Sequence, residues 1–257
     1  MTSTAPAVSV ACGIDIGGSG VKSALVDLAT GTFIGERVRI DTPEESTPAA
    51  VAEVCRELLE QLEVGDDVPV GVALPAPIVH GTVPFIANLD KSWTGVNLTE
   101  LMREHLGRPV TGLNDADAAG LAEVAFGAAK DVPGTIIVTT LGTGIGSAVI
   151  VDGTLVPNTE LGHLEIDGYD AETRASAGQR TAQDLSWKKW AKRLQRYYSH
   201  VEMLFSPDLF VVGGGVSRKH EKYLPLLDLK TPIVPAQLLN TAGIVGAAYQ
   251  ASRARAS

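Results

Sequence analysis

The feature that most constrains this chain is a segment that occurs twice: an apolar strand, a glycine-rich turn and a second apolar strand. The first copy covers residues 12–26 and the second covers residues 137–151. In each copy the β-branched residues and the turn predict a β-hairpin. Glycine-rich turns can expose backbone N–H groups that approach phosphate oxygens closely. The repeat, with an acidic motif at 113–120 between its copies, predicts a duplicated fold that holds a phosphate chain.

Two familiar phosphate-binding motifs do not account for these segments. A P-loop requires glycine directly before its lysine, and here Val21 precedes Lys22. The dinucleotide fingerprint opens a helix, whereas both segments run into a second strand. A structural role stays open for either turn alone, because glycine turns are common in hairpins.

The net charge of −9, from 21 basic and 30 acidic side chains, argues against nucleic acid as a partner, because phosphate-backbone binding relies on a basic surface. A polyanion would need a local basic patch. No apolar run approaches the roughly 20 residues that span a bilayer, and residues 1–7 lack the basic start of a signal peptide. Cys12 and Cys55 give no disulfide framework and are expected to be small buried hydrophobic residues. We therefore expect a cytoplasmic protein that does not bind membranes.

Hydrophobic periodicity and turn residues predict alternating strands and helices. Ser46 and Thr47, followed by Pro48, predict the start of an amphipathic helix whose apolar positions continue to Leu62. The other predicted elements are strands from about Val8, after the turn at 29–31, and at 68–74, 110–113 and 209–212, hairpins around Gly142 and Gly153, and helices at 98–106, 184–204 and from Ala242.

Five short motifs occur in the order found in bacterial sugar kinases of the ROK family, which the chain resembles over nearly its whole length. The motifs are Asp15-Ile-Gly-Gly-Ser-Gly20, Asn114-Asp115, Leu141-Gly-Thr-Gly144, Glu160-Leu-Gly-His163 and Val212-Gly-Gly-Gly-Val-Ser217. Within the family, residues 88–93 and 184–210 resemble the branch that uses inorganic polyphosphate as phosphoryl donor. The resemblance implies an α/β, actin/hexokinase-like (ribonuclease H-like) duplicated fold of two lobes with a central cleft. It places a small lobe at 1–112, to which a C-terminal helix at 241–257 returns, and a large lobe at 113–240.

The resemblance also implies a sugar site. Asp115 would be the general base for the sugar 6-hydroxyl, and the residues that bind the sugar would be Asn114, Asp115, Glu160, His163 and Glu172. Glu160 and His163 are three residues apart, so a helical turn would put both on one side, where carboxylate and imidazole can recognise hydroxyls. The alternatives are that Asn114-Asp115 caps the following helix and that His163 is structural.

The donor site implied by the family lies on the glycine turns. The phosphate-binding residues would be Asp15, Gly17, Gly18, Ser19, Gly20 and Lys22 in the first turn, and Thr140, Gly142, Thr143 and Gly144 in the second. Gly213, Gly214 and Gly215 would contact the nucleoside of ATP, and Asp15 would hold Mg²⁺ through water. Alternatively, Asp15 satisfies its own turn, Lys22 is solvated, and the three glycines only form a tight strand-to-helix turn.

One departure from the family pattern concerns zinc. Many ROK proteins carry a cysteine-rich zinc motif after the Gly-His pair, but both cysteines of this chain lie upstream of His163. We therefore expect no cysteine-based zinc site. The assignment of Glu172 as a third sugar-binding carboxylate rests on the resemblance without that motif.

The predicted helix that begins near residue 184 combines an apolar stripe with a basic face. The stripe consists of Trp187, Trp190, Ala191, Leu194, Val201 and Leu204, and the basic residues are Lys188, Lys189, Lys192, Arg193 and Arg196. Such a face either guides a long polyphosphate or is simply solvated.

These features together predict a kinase that phosphorylates the 6-hydroxyl of glucose with Mg²⁺, using polyphosphate and ATP as donors, with a homodimer as the form common in the family. One alternative is a kinase for mannose or an N-acetylated hexose. Another is a sugar-sensing ROK regulator, which is disfavoured because few residues precede the first predicted strand to form a DNA-binding helix-turn-helix. An actin-like ATPase leaves Glu160 and His163 unexplained.

Overall fold

The structure is a computed structural model, which describes residues 9–256. Its strands are β1 Val10–Gly17, β2 Gly20–Asp27, β3 Thr32–Ile40, β4 Val70–Leu74, β5 Val110–Asn114, β6 Thr135–Leu141, β7 Ile145–Val151, β8 Thr154–Val156, β9 Glu165–Ile166, β10 Tyr169–Asp170, β11 Leu209–Gly213 and β12 Ile233–Pro235. Its α-helices are α1 Pro48–Gln61, α2 Leu98–Leu106, α3 Asp115–Phe126, α4 Glu172–Ala175, α5 Ala177–Ala182, α6 Trp187–Phe205 and α7 Ala242–Ala256. Val8, the predicted start of the first strand, lies outside the described residues.

The chain forms two compact units. The first comprises Met1–Ala118 with Gly243–Ser257, and the second comprises Ala119–Ala242. The first unit contains a five-stranded sheet in the order β3-β2-β1-β4-β5, and the second contains one in the order β12-β11-β6-β7-β8. In each sheet three consecutive strands form an antiparallel meander, β1-β2-β3 in the first unit and β6-β7-β8 in the second. The first strand of each meander also pairs in parallel with β4 or β11, which in turn pairs in parallel with β5 or β12. The same topology therefore occurs twice. The predicted duplicated α/β fold is confirmed.

Local sequence signals explain where the helices of the first unit begin and end. Thr47 caps α1 by accepting a hydrogen bond from the N–H of Ala50, and Pro48 occupies the first helical position, as predicted. Ser46 instead accepts a hydrogen bond of 3.0 Å from the N–H of Asp90. Gly107 ends α2 at a φ of 65°, in the left-handed region that glycine enters without strain.

The C-terminal helix α7 packs so closely on the sheet of the first unit that its backbone contacts the backbone of β1 and β4. A Cβ at Gly13 or at Gly71 would collide with the carbonyl oxygen of Ile244 or of Ala247. Only glycine in β1 and β4 therefore allows this approach. The core of this unit also contains the two free cysteines, Cys12 and Cys55, which are buried as predicted. Burial raises the pKa of the Cys12 thiol to about 11 and that of Cys55 to about 12.

In the second unit, α6 covers the sheet with most of its predicted stripe. Trp190, Ala191, Leu194 and Val201 are buried, together with two tyrosines that the stripe did not include. Leu204 is 51% exposed, so its predicted place in the packed stripe is wrong. The neighbouring side chains of this last turn are also exposed, which indicates that the helix runs on past the packed core. Among the described residues, no helix combines the length and the apolar character that crossing a membrane requires.

Candidate active site

In the first unit, the carboxyl ends of three neighbouring parallel strands bring Asp15 and the Asn114-Asp115 pair to one edge of the sheet. Asp15 in β1 pairs with Ala73 in β4, and the next residue of β4, Leu74, pairs with Asn114. Strands lie about 4.8 Å apart, so the two acidic positions are about 10 Å apart along this edge. Ligands of open parallel sheets bind at such carboxyl ends.

Asn114 caps α3, as the structural alternative proposed. Its Oδ1 accepts hydrogen bonds from the N–H groups of Ala116, at 2.8 Å, and Asp117, at 3.1 Å. Only its amide N–H groups are left for sugar hydroxyls. Asp115 is the first residue of α3 and is half-buried, at the helix end whose dipole favours a negative charge. Capping by Asn114 therefore holds the position of Asp115 at the end of β5.

The first glycine turn is held from outside by two side chains. Gly17 pairs with Gly20 across it, and Thr42 Oγ1 donates a hydrogen bond of 2.5 Å to the Gly17 carbonyl. Arg39 Nη2 donates one of 2.7 Å to the Ser19 carbonyl, and a Cβ at Gly20 would collide with the Arg39 guanidinium. Gly18 and Ser19 are exposed at the tip, where their N–H groups are candidates for binding phosphate.

Lys22 is not merely solvated. Its Nζ lies 3.4 Å from Asp15 Oδ2, the residue with which it pairs across the β1–β2 hairpin. Arg39 pairs with Lys22 across the next two strands, so two cations and one carboxylate lie on neighbouring strands beside the turn. The carboxylate is about one-fifth exposed, at 19%, and is within reach of solvent.

The second glycine turn lies against the turn formed by Gly213–Gly215 of the same unit. Gly142 and Thr143 are exposed, and the N–H of Gly142 donates to the carbonyl of Gly144 at 3.0 Å. Thr140 pairs with Gly213 at the ends of β6 and β11. Gly214 has a φ of 80°, and a Cβ there would collide with the backbone of Leu141. The tight-turn role of Gly214 is therefore present, and it brings Gly213–Gly215 beside the predicted phosphate turn.

The predicted sugar-binding residues of the second unit are gathered around one short 3₁₀ helix, Leu161–His163. Glu160 precedes that helix, and His163 Nδ1 donates a hydrogen bond of 2.7 Å to Asp170 Oδ2. Glu172 Oε2 accepts one of 3.0 Å from the N–H of Ile145, which directly follows the second glycine turn. Glu172 therefore links the group of polar side chains to the predicted phosphate turn.

The surroundings of His163 and Glu160 shift the pKa values of both side chains. The hydrogen bond to Asp170 raises the pKa of His163 above its ordinary value, with further increases from the charges of Glu172, Asp170 and Glu160. Burial raises the pKa of Glu160, a shift that His163 opposes and Glu172 reinforces. Perturbed pKa values on neighbouring groups are typical of functional sites.

One polar atom from each of His163, Asp170 and Glu172 lies within 4.8 Å of the other two. Across residues 9–256, this is the one group of three such side chains close enough to share a cation. His163 Nδ1 and Glu172 Oε2 already take part in the hydrogen bonds described above.

Comparisons with known proteins identify the family of this chain. The model of the ROK family matches residues 11–181. The chain belongs to the ROK family. Among ROK relatives, the polyphosphate glucokinase of Mycobacterium tuberculosis (strain CDC 1551 / Oshkosh) is 50% identical to this chain, over 96% of the chain and 97% of the relative.

Solved structures of ROK proteins share the fold. The inorganic polyphosphate/ATP-glucomannokinase from Arthrobacter sp. strain KM is 54% identical, with a TM-score of 0.89 over 96% of this chain and 99% of that chain. A ROK family glucokinase from Streptomyces griseus, in complex with glucose and AMPPNP, is 23% identical, with a TM-score of 0.80 over 95% of this chain and 99% of that chain. The second likeness concerns the fold alone. The predicted resemblance and the actin/hexokinase-like fold are confirmed.

The basic face of α6 in this ROK protein is smaller than its sequence indicates. Arg193 donates hydrogen bonds to the Arg174 carbonyl and to Gln183 Oε1, and Arg196 pairs with Asp167. The remaining lysines of the face are exposed, and their ammonium groups form no hydrogen bond or ion pair in the part of the chain that the structure describes. These residues are Lys188, Lys189 and Lys192.

Two residues beside the predicted site were missed by sequence reasoning. Arg39 reaches the first glycine turn only through the pairing of β2 with β3, and Asp170 reaches His163 through the β9–β10 hairpin. No local motif marks either residue. The cross-strand register opposite Lys22 is the signal that would have indicated Arg39.

Proposed function

We propose that this protein transfers the terminal phosphoryl group of inorganic polyphosphate, or of ATP, to the 6-hydroxyl of glucose and so forms glucose 6-phosphate. Two relatives named for polyphosphate-dependent sugar phosphorylation share 50% and 54% of their residues with it over 96% of its length. The observation that carries the proposal is the hydrogen bond from Ile145 N–H to Glu172, because it joins a hydroxyl-binding group to a phosphate-type turn.

The sugar is recognised by alternating donors and acceptors. The carboxylates of Glu160 and Glu172 accept hydrogen bonds from hydroxyls, and His163 and the Asn114 amide complete the set. Carboxylate–hydroxyl hydrogen bonds are among the stronger polar contacts, worth about 1.5–3 kcal/mol each. Mannose differs from glucose at one hydroxyl, and we propose it as a second substrate because one relative is named a glucomannokinase.

Asp115 is the proposed general base. Its carboxylate accepts the proton of the 6-hydroxyl while the 6-oxygen attacks the terminal phosphorus atom. The bond from that phosphorus to the bridging oxygen breaks, and polyphosphate leaves one phosphate shorter, or ATP leaves as ADP. Its position at the N-terminus of α3 favours the ionised form of the carboxylate, which is the form that can accept this proton.

The donor phosphates are bound by backbone N–H groups of both glycine turns, other than that of Gly142, which donates to the Gly144 carbonyl, and by the Thr140 and Thr143 hydroxyls, with Lys22 as a nearby cation. Gly213–Gly215 contact the nucleoside when ATP is the donor. The Asp15 carboxylate is a hard oxygen ligand, partly open to solvent, which suits Mg²⁺ held through water. Bound there with the phosphates, Mg²⁺ would offset the negative charge of the transferring group.

The three exposed lysines of α6 extend the donor site for polyphosphate. In a chain of net charge −9, Lys188, Lys189 and Lys192 form a local basic patch that could meet a polyanion. A long polyphosphate contacts several cations at once, whereas ATP presents a short charged tail. A homodimer and a cytoplasmic location stay predictions, which analytical ultracentrifugation and cell fractionation would test.

A phosphotransfer assay tests the proposal. Glucose, mannose and N-acetylglucosamine are each combined with long-chain polyphosphate or ATP in the presence of Mg²⁺, and the product is quantified as sugar 6-phosphate. We expect transfer to glucose from both donors and none with Asp115→Asn above about one-hundredth of wild type. If the protein binds glucose but transfers phosphate from neither donor, the kinase proposal is wrong and the sugar-sensor alternative is favoured.

A further inference from the structure

We propose that Asp170 positions the sugar-binding side chains of the second unit: it holds His163 in the tautomer with the proton on Nδ1 and fixes the start of the helix that carries Glu172. The inference rests on the proposed sugar-binding role of these two residues. Asp170 itself is a positioning residue and need not touch the sugar.

A single carboxylate makes both contacts. Asp170 Oδ2 accepts from His163 Nδ1 at 2.7 Å, and Asp170 Oδ1 accepts from the N–H of Glu172 at 3.2 Å. The Asp170 carbonyl also accepts a hydrogen bond of 2.6 Å from the hydroxyl of Thr173. The Asp170 side chain thus bridges the 3₁₀ helix that carries His163 and the first turn of α4.

The geometry of the β9–β10 hairpin fixes the position of Asp170. Strands β9 and β10 pair Asp170 with Glu165, and the turn between them is Asp167-Gly168. Both turn residues have positive φ, 55° and 78°, the combination of a type I′ turn, which fits the right-handed twist of a hairpin. The register of this tight turn fixes which face of β10 presents Asp170.

The contact selects a tautomer. An ionised carboxylate is only an acceptor, so the proton of a neutral imidazole in this pair lies on Nδ1. Nε2 then carries a lone pair and accepts a hydrogen bond from a sugar hydroxyl. A carboxylate partner also fixes the ring plane, as it does for histidines whose other nitrogen binds a ligand.

The backbone contact acts on the other sugar-binding residue. An Asp side chain that accepts from the N–H two residues later forms an Asx turn, which sets the direction in which the chain continues. Here the chain continues into α4, where Glu172 Oε2 reaches the N–H of Ile145. A change at Asp170 therefore reaches His163 through a side chain and Glu172 through the backbone.

The substitution Asp170→Asn separates these two contacts. The Asn carbonyl oxygen can still accept from the N–H of Glu172, while its amide group faces His163 Nδ1 as a donor and reverses the tautomer. Imidazole ¹⁵N NMR reports the tautomer directly, at a pH well above the His163 pKa, and needs no substrate. We expect the Nδ1–H form in the wild type and the Nε2–H form in Asp170→Asn.

Calorimetric titration with glucose measures the consequence. Asp170→Asn should weaken glucose binding about tenfold, the effect of one lost hydrogen bond. In a His163→Ala background the same substitution should cost nothing more, because Asp170 acts through the imidazole. The matched control is Asp167→Asn, in the same hairpin: it removes the exposed ion pair with Arg196 and should leave glucose affinity unchanged.

Several results would overturn the inference. They are an Nε2–H tautomer in the wild type, an equal loss of affinity from Asp170→Asn with and without His163, or a stoichiometric metal ion that purifies with the wild type and is lost in Asp170→Asn. If Asp170→Asn does not fold, the wild-type spectrum alone decides. A wild type that shows the Nδ1–H tautomer but binds no glucose contradicts the proposed function and leaves the positioning of His163 standing.

Discussion

Replacing Gly144 by alanine should weaken sugar binding although the glycine belongs to the turn proposed for phosphate. A Cβ at Gly144 would fall well inside contact distance of Glu172 Oε2. Ordinary contact distances of about 3.5–4.0 Å require the carboxylate to move by more than about 1 Å. Its hydrogen bond to the N–H of Ile145, now 3.0 Å long, is then lost.

The size of the effect follows from that displacement. A displaced Glu172 no longer meets the sugar hydroxyl that it binds, and a hydrogen bond to a charged group is worth about 1.5–3 kcal/mol. This free energy corresponds to an increase in the glucose dissociation constant of about 10- to 150-fold. The backbone of the turn keeps its conformation, because Gly144 does not have positive φ.

Gly142→Ala is the matched control in the same turn. No heavy atom of the described chain lies within 4 Å of a Cβ at Gly142, so the substitution meets open space on the side proposed for the donor. We expect unchanged glucose affinity and a raised KM for polyphosphate, the reverse of Gly144→Ala. Calorimetry with glucose and donor KM values are measured on variants shown to be folded by thermal unfolding. A folded Gly144→Ala variant with wild-type glucose affinity would refute the role of Glu172.

Three further variants test the other proposed roles. Asp115→Asn should retain glucose affinity and lower kcat by about 10² to 10⁴, and turnover within a few-fold of wild type would exclude Asp115 as the base. Glu160→Ala should weaken glucose binding in calorimetry by the equivalent of about 1.5–3 kcal/mol with little change in donor KM; unchanged affinity would move the sugar site elsewhere. Neutralising Lys188, Lys189 and Lys192 together should raise KM for long polyphosphate more than for ATP and flatten its dependence on salt. Equal changes for both donors would mean that this face is only solvated.

The hairpins and most helix limits could be predicted because their signals are local. Thr47 and Pro48 lie beside the turn of helix that they start, and the glycines of both hairpins lie in the turns that they form. The predicted start of α6 at Asp184 is too early: Ser186 is the cap, accepting from the N–H of Lys189. Strands such as β9 and β12 are too short to show a period of two residues.

The supports of the site could not be predicted because they depend on pairing between separate strands. Arg39 lies 20 residues from the carbonyl of Ser19 that it binds, and Asp170 lies 7 residues from His163. The glycine turns, Glu160 and His163 could be predicted because each belongs to a short contiguous motif of the family. The residues that hold those motifs in place lie outside the motifs, so a single sequence does not indicate them.

The docking of α7 on Gly13 and Gly71 has a consequence for biosynthesis. The ribosome makes β1 and β4 early, and it makes the helix that covers them only after it has made the whole second unit. Because synthesis proceeds at about 5–20 residues per second, the apolar face of this nascent sheet stays uncovered by α7 for many seconds. We expect the second unit to fold first, and the nascent chain to depend on chaperones until residues 243–256 leave the exit tunnel.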